Sequence, residues 1–128
     1  MNLLRWRFFL AFAVVTVVVY PGNAAPNTIR VLTIGNSFAG NAKKYLGKIA
    51  EADPEIRLEI GGADIGGSSL EKHWKLSASG EKPYGGKMKI SLVEALKSKP
   101  WDVVTLQQFS AAAVDYTTYQ PYLDNLAK

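Results

Sequence analysis

The chain contains no cysteine. That absence excludes thiol catalysis, disulfide staples, cysteine-based zinc sites and a lipid carried on an N-terminal cysteine. Histidine is nearly absent as well. His73 is the single imidazole among 128 residues, which restricts where a general base can come from. Excess charge of one sign is also scarce. The net charge is +4, and Arg5 and Arg7 supply half of it; the rest of the chain sets 13 basic residues against 11 acidic ones. No basic stripe interleaves with aromatics, so a nucleic-acid partner is not expected. The longest apolar run, Phe8 to Tyr20, falls short of the roughly 20 residues a spanning helix needs. No G-x-x-x-x-G-K-[ST] signature is present, and "GNSFAGNAKK" lacks its spacing.

What is present suits one exported globular domain. Hydrophobic residues make up 48% and charged residues 20%, which fits a folded chain rather than a disordered one. Residues 1–24 read as a signal peptide. Arg5 and Arg7 form a positive start, "FFLAFAVVTVVV" the apolar stretch, and "PGNAAP" the small residues around a cut after Ala24. Residues 25–128 are then the mature domain, with no stable membrane insertion after cleavage and a periplasmic or extracellular destination.

The mature part alternates between two periodicities. "RVLTI" (30–34) is nearly all apolar, as in a strand buried on both faces. Phe38, Ala42, Tyr45, Leu46 and Ile49 recur at helical spacing, and Asp53-Pro54 closes that helix. "IRLEI" (56–60) alternates, which marks an edge strand with one wet face. A Gly-rich loop, "GGADIGGSS" (61–69), leaves it, followed by a short helix in "SLEKHWK" with Leu70, His73 and Trp74 on one face. Residues 76–87 read as a flexible loop. Met88, Leu92, Val93 and Leu96 predict another helix, "WDVVTLQQ" (101–108) a doubly buried strand, and Tyr119, Tyr122, Leu123 and Leu126 a last helix.

This βαβαβα order predicts a parallel α/β sheet in the order 2-1-3. Ligands of such sheets bind at the carboxyl ends of the strands, where the order reverses. Ser37 follows the first strand and Gln107-Gln108 ends the third, so both fall on that rim. A serine nucleophile needs an exposed hydroxyl, a base, and donors for the oxyanion. The amide of Ser37, a backbone N–H at Gly67 and a side-chain amide of Gln107 or Gln108 are candidate donors. Each residue also has a plainer reading. Ser37 can cap the helix, Gly66 and Gly67 can serve a turn, and the glutamines can bond each other or the backbone. Asp102, near the amino end of its strand, reads as structural. Tyr116, Tyr119 and Tyr122 form a core or surface stripe, with Tyr116 able to line a sugar cleft.

"TIGNSF", "GGSSLEKHW" and "WDVVTLQQ" together resemble the first three sequence blocks of SGNH/GDSL-type serine hydrolases. The resemblance is to a bacterial subgroup of unknown function with a Gly-Asn-Ser-Phe block, and it covers about residues 30–128. It implies a flavodoxin-like three-layer α/β/α sandwich, here truncated after its third strand. It further implies an esterase that removes acetyl or similar groups from carbohydrate through an acyl-enzyme on Ser37, with no cofactor and no metal. Gly67 would be the oxyanion glycine. The block's usual Asn is missing, and Gln108, ahead of Gln107, takes its place. Asn36, Gln107 and His73 are expected to contact substrate. The family's Asp-x-x-His block does not occur in these 128 residues, so the chain is expected to be an inactive N-terminal portion whose base lies elsewhere. His73 itself, with Asp64 to orient it, is a weaker candidate for that base. A non-catalytic carbohydrate-binding relative of the same fold is the alternative function, and a flavin- or phosphate-binding flavodoxin-like protein is a further one.

Overall fold

The computed structural model describes residues 26–128; the signal segment proposed above lies outside them. Three parallel strands form one sheet in the order β2-β1-β3, with helices in the connections. The strands are β1 (Asn27–Gly35), β2 (Ile56–Asp64) and β3 (Val103–Leu106). Gly35 pairs opposite Asp64, and Ile34 opposite Leu106, so all three strands end on one rim. The expected α/β class and strand order are thus what the chain adopts.

Strand β1 lies in the middle, and Val31 to Gly35 are buried on both faces. Its side chains alternate. Leu32 and Ile34 join Ala63, Tyr84, Leu92 and Ala95 in the core on one side. Thr33 and Gly35 face helix α1 (Ser37–Ala50), whose Ala39 is buried there. Helices α2 (Leu70–Ala78) and α3 (Leu92–Lys97) cover the first side. Each of these three helices starts on a side-chain cap. Asn36 caps α1, Ser69 caps α2, and Ser91 with Glu94 forms a reciprocal capping box on α3.

Several local expectations are corrected. Helix α1 rests on the sheet through small and half-buried positions (Ala39, Lys43, Gly47, Ala50), whereas Phe38, Tyr45, Leu46 and Ile49 face outward. The apolar stripe was a real periodicity, but the sheet accepts the narrower side of the helix. Strand β2 runs on through Gly61-Gly62-Ala63-Asp64, so the Gly-rich loop shrinks to residues 65–69. Residues 76–87 are not a free loop. Leu76 to Ala78 finish α2, and buried Tyr84 exchanges two backbone hydrogen bonds with Ile90. That bridge and the Ser91 cap delay α3 to Leu92, leaving Met88 exposed outside it.

Strand β3 is not doubly buried. Val103 and Val104 are 45% and 44% exposed, because β3 pairs with β1 on one side and with nothing described on the other. The last helix is split. Tyr116–Tyr119 form a single 3₁₀ turn and α4 spans Tyr122–Leu126, since Pro121 between them has no N–H to continue a ladder. Among the described residues no helix is long and apolar enough to cross a membrane.

Candidate active site

The site grows from the turn that joins β1 to α1. Asn36 is extended (φ −130°, ψ −161°), and its Oδ1 accepts the Phe38 N–H at 3.2 Å. Asn36, and not Ser37, therefore does the capping. Ser37 is the first helical residue; its side chain is exposed, and no described residue bonds its hydroxyl. Its backbone N–H is one of the unpaired amides at a helix start, where the positive end of the helix dipole favours an anion.

Asn36 does more than cap. It is 2% exposed, and its Nδ2 donates to the carbonyls of Ser68 (3.2 Å) and Gln108 (3.3 Å). The Asn36 amide thus ties the β1–α1 turn to both flanking segments of the rim. Its polar atoms are engaged within the protein and shielded from solvent.

The loop after β2 is held from the same place. Ile65 N–H donates to the Gly35 carbonyl at 3.0 Å, and Ser68 N–H to the Ile65 carbonyl at 3.1 Å. Between them Gly67 takes φ +64°, a left-handed conformation that suits glycine. Its surroundings are open, and its N–H has no partner among the described residues. Because Asn36 bonds Ser68, the Gly67 amide and the Ser37 amide stand on neighbouring backbone segments. Ser68 Oγ, fully buried, also lacks a partner.

The two glutamines separate. Gln108 is buried; its Oε1 accepts from Leu70 N–H (3.0 Å) and Phe109 N–H (2.9 Å). Its Nε2 donates to the Thr118 carbonyl (2.8 Å) and Thr118 Oγ1 (3.2 Å). Every hydrogen-bonding position of that amide, the expected oxyanion donor, faces protein. Gln107 is half-buried and lies over Gly35. A Cβ at residue 35 would sit 2.8 Å from Gln107 Oε1 and 3.0 Å from its Cβ, so glycine lets this side chain lie where it does and a larger residue would push it aside. Gln107 Oε1 accepts the Asn36 N–H at 3.4 Å, and its Nε2 donors have no described partner. Gln107 lines a cleft of about 420 Å³ with Phe38, Leu106, Gln108, Ser110, Ala113 and Tyr119. Tyr116, stacked on Tyr119 at 6.1 Å between ring centres, is exposed beside it.

His73 is fully buried. Its Nε2 lies 2.9 Å from the Gly35 carbonyl, and its Nδ1 lies 2.7 Å from the Tyr84 hydroxyl. A carbonyl only accepts, so Nε2 carries the hydrogen and Nδ1 accepts from Tyr84. Burial holds the imidazole pKa below its ordinary value, against the opposing pull of the Gly35 carbonyl and of Asp64. With both nitrogens engaged and no exposure, His73 presents no free nitrogen to Ser37 or to solvent. Asp64 does not orient it. That carboxylate bonds Thr33 Oγ1 (3.0 Å) and pairs with Lys43 Nζ.

Asp102 is structural, as read. Its Oδ2 accepts the Arg30 N–H at 2.7 Å at the amino end of the sheet. The Thr33–Asp64–Lys43 cluster and the Tyr84–His73 bond were missed in the sequence. The four-residue spacing of Ala39 and Lys43 on one helix face was a usable signal for the first; nothing local announced the second. Among the described residues no group of three or more acidic or histidine side chains could hold a metal ion.

Fold and site define a parallel α/β sheet protein with an exposed serine and unpaired amides at the strand-order reversal. No family profile and no curated protein matches the chain. Among solved structures it is similar to a DUF4886 family protein from Bacteroides uniformis, with 32% identity and a TM-score of 0.70. The match covers 79% of this chain and 43% of the other, so the chain spans less than half of that protein's length.

Proposed function

We propose that the chain carries the nucleophile of an exported SGNH-type serine esterase acting on acylated carbohydrate. The observation that carries this reading is the division of labour at the turn: Asn36 takes the cap, leaving Ser37 exposed and unbonded at a helix N-terminus. In the proposed reaction Ser37 Oγ attacks the ester carbonyl, and a base takes its proton. The Ser37 and Gly67 amides hold the oxyanion, with Gln107 Nε2 as the third donor. The alcohol leaves with the returned proton, and water then cleaves the acyl-serine. No metal or organic cofactor enters these steps. Since His73 is engaged elsewhere, the base belongs to an Asp-x-x-His block outside the described residues. The motif resemblance set out above supports the ester class, and exposed Tyr116, stacked on half-buried Tyr119 beside the cleft, suits a sugar face.

One observation favours the alternative, a carbohydrate-binding relative without catalysis: no described base reaches Ser37. Fluorophosphonate labelling of the complete protein decides between them. The esterase reading expects labelling that Ser37→Ala abolishes. Equal labelling of that variant removes Ser37 from the chemistry.

A further inference from the structure

The peptide unit between Gly35 and Asn36 is gripped at both ends. Its oxygen accepts from Ile65 N–H (3.0 Å) and from His73 Nε2 (2.9 Å), and its N–H meets Gln107 Oε1 (3.4 Å). The peptide is planar, so turning its carbonyl turns its N–H as well. Ile65 begins the loop that carries Gly67, Gln107 brings the candidate third donor, and Ser37 is the next residue along. One rigid unit therefore sets three groups of the site relative to one another.

We propose that His73 and Tyr84 are a positioning pair that fixes this peptide, and through it the Ser37 amide, the Gly67 loop and Gln107. A carbonyl has two lone pairs, and Ile65 fills only one of them. His73 fills the other from α2, an element outside the rim. Its ring is held in turn by the Tyr84 hydroxyl and by stacking on Tyr84, with centres 5.8 Å apart and planes at 10°. Tyr84 comes from the segment between α2 and α3 and is anchored by its backbone pairing with Ile90. A fully buried imidazole is a costly way to fill space that Leu or Met could fill. What it adds is direction: a single tautomer with one donor aimed at one carbonyl.

The test compares His73→Leu, His73→Gln and Tyr84→Phe by amide NMR of the folded protein and by fluorophosphonate labelling rate. Gln can place an amide donor near the position of Nε2, whereas Leu restores only volume. Positioning expects His73→Leu to shift the Asn36, Ser37, Ile65 and Gly67 amides, and His73→Gln to return them toward the parent positions. Labelling should fall on the order of 10–100-fold in His73→Leu and recover most of that loss in His73→Gln. Tyr84→Phe, nearly isosteric, should loosen the ring while the Gly35 carbonyl keeps its tautomer, shifting the same four amides in the same direction as His73→Leu, and it decides the matter if His73→Leu does not fold. A Leu variant with all four amides in place, or a Tyr84→Phe variant with all four in place, overturns the proposal. The labelling arm rests on Ser37 being a nucleophile. A parent protein that never labels counts against that reading, while the amide shifts still decide the positioning role.

Discussion

His73 Nε2 donates to the carbonyl of Gly35, 38 positions earlier in the chain, across 2.9 Å. The ring is neutral in this arrangement, since its other nitrogen accepts from Tyr84. Burial holds the His73 pKa below its ordinary value. Below a pH of about 6.5 the unfolded chain therefore takes up a proton that the folded chain refuses. Stability should fall as pH drops through that value and continue falling to the lower folded pKa. Urea unfolding from pH 7.5 to 5 should show this slope, and His73→Gln should flatten it.

The partner hydroxyl sets the alkaline limit. Burial pushes the Tyr84 pKa up to about 12. Between the ordinary value near 10 and that raised value the unfolded phenol ionises while the folded one stays protonated. Stability should decline over this window, and Tyr84→Phe should remove its share of the decline. The same urea series carried to alkaline pH is the measurement.

Asn36 joins three segments through two functions, and two substitutions separate them. Asn36→Asp keeps an oxygen to cap Phe38 but aims its other oxygen at the Ser68 and Gln108 carbonyls. Asn36→Ala loses the cap, worth about 1 kcal/mol, and leaves both carbonyls unpaired. We expect each variant to cost roughly 2–4 kcal/mol in urea unfolding, with Asp no milder than Ala. A harmless Asn36→Asp would mean that the cap alone matters.

The adjacent glutamines should behave as opposites. Gln107→Ala should leave stability within about 0.5 kcal/mol and lower ester turnover by the amount typical of a lost oxyanion donor, roughly 10²–10³-fold. Gln108→Ala frees four protein partners and should destabilise the fold by about 2–4 kcal/mol. Paired unfolding and turnover measurements on the two variants check both halves. Turnover unaffected by Gln107→Ala would remove it from the site.

Among the described residues nothing pairs with the outer edge of β3, and Val103 and Val104 beside it are exposed. An uncovered edge of this kind is a template for pairing. The isolated chain should associate with rising concentration in sedimentation, and Val104→Lys should shift it toward monomer.

Much of this was legible beforehand, for identifiable reasons. The apolar run 30–34 and the alternation at 56–60 follow from whether one or two strand faces are covered, and the order 2-1-3 follows from crossover handedness. Those rules put Ser37 and the glutamines on one rim. The roles of neighbouring residues were less legible. Asn36 and Ser37 are both good caps, and only the backbone shows which one bends before the helix starts. Gln107 and Gln108 turn in opposite directions at a strand end. Which of them is engaged depends on Leu70 and Thr118, one far upstream and one ten residues on. The outward stripe on α1 was misread because periodicity reports that a face is apolar, not what covers it.

The most direct test of the central claim is mass spectrometry of the complete protein, quenched during turnover of an acetylated sugar. The account predicts one added acetyl group on the peptide that contains Ser37, absent in Ser37→Ala. Turnover without any adduct on that peptide, or with the adduct on another residue, would contradict it.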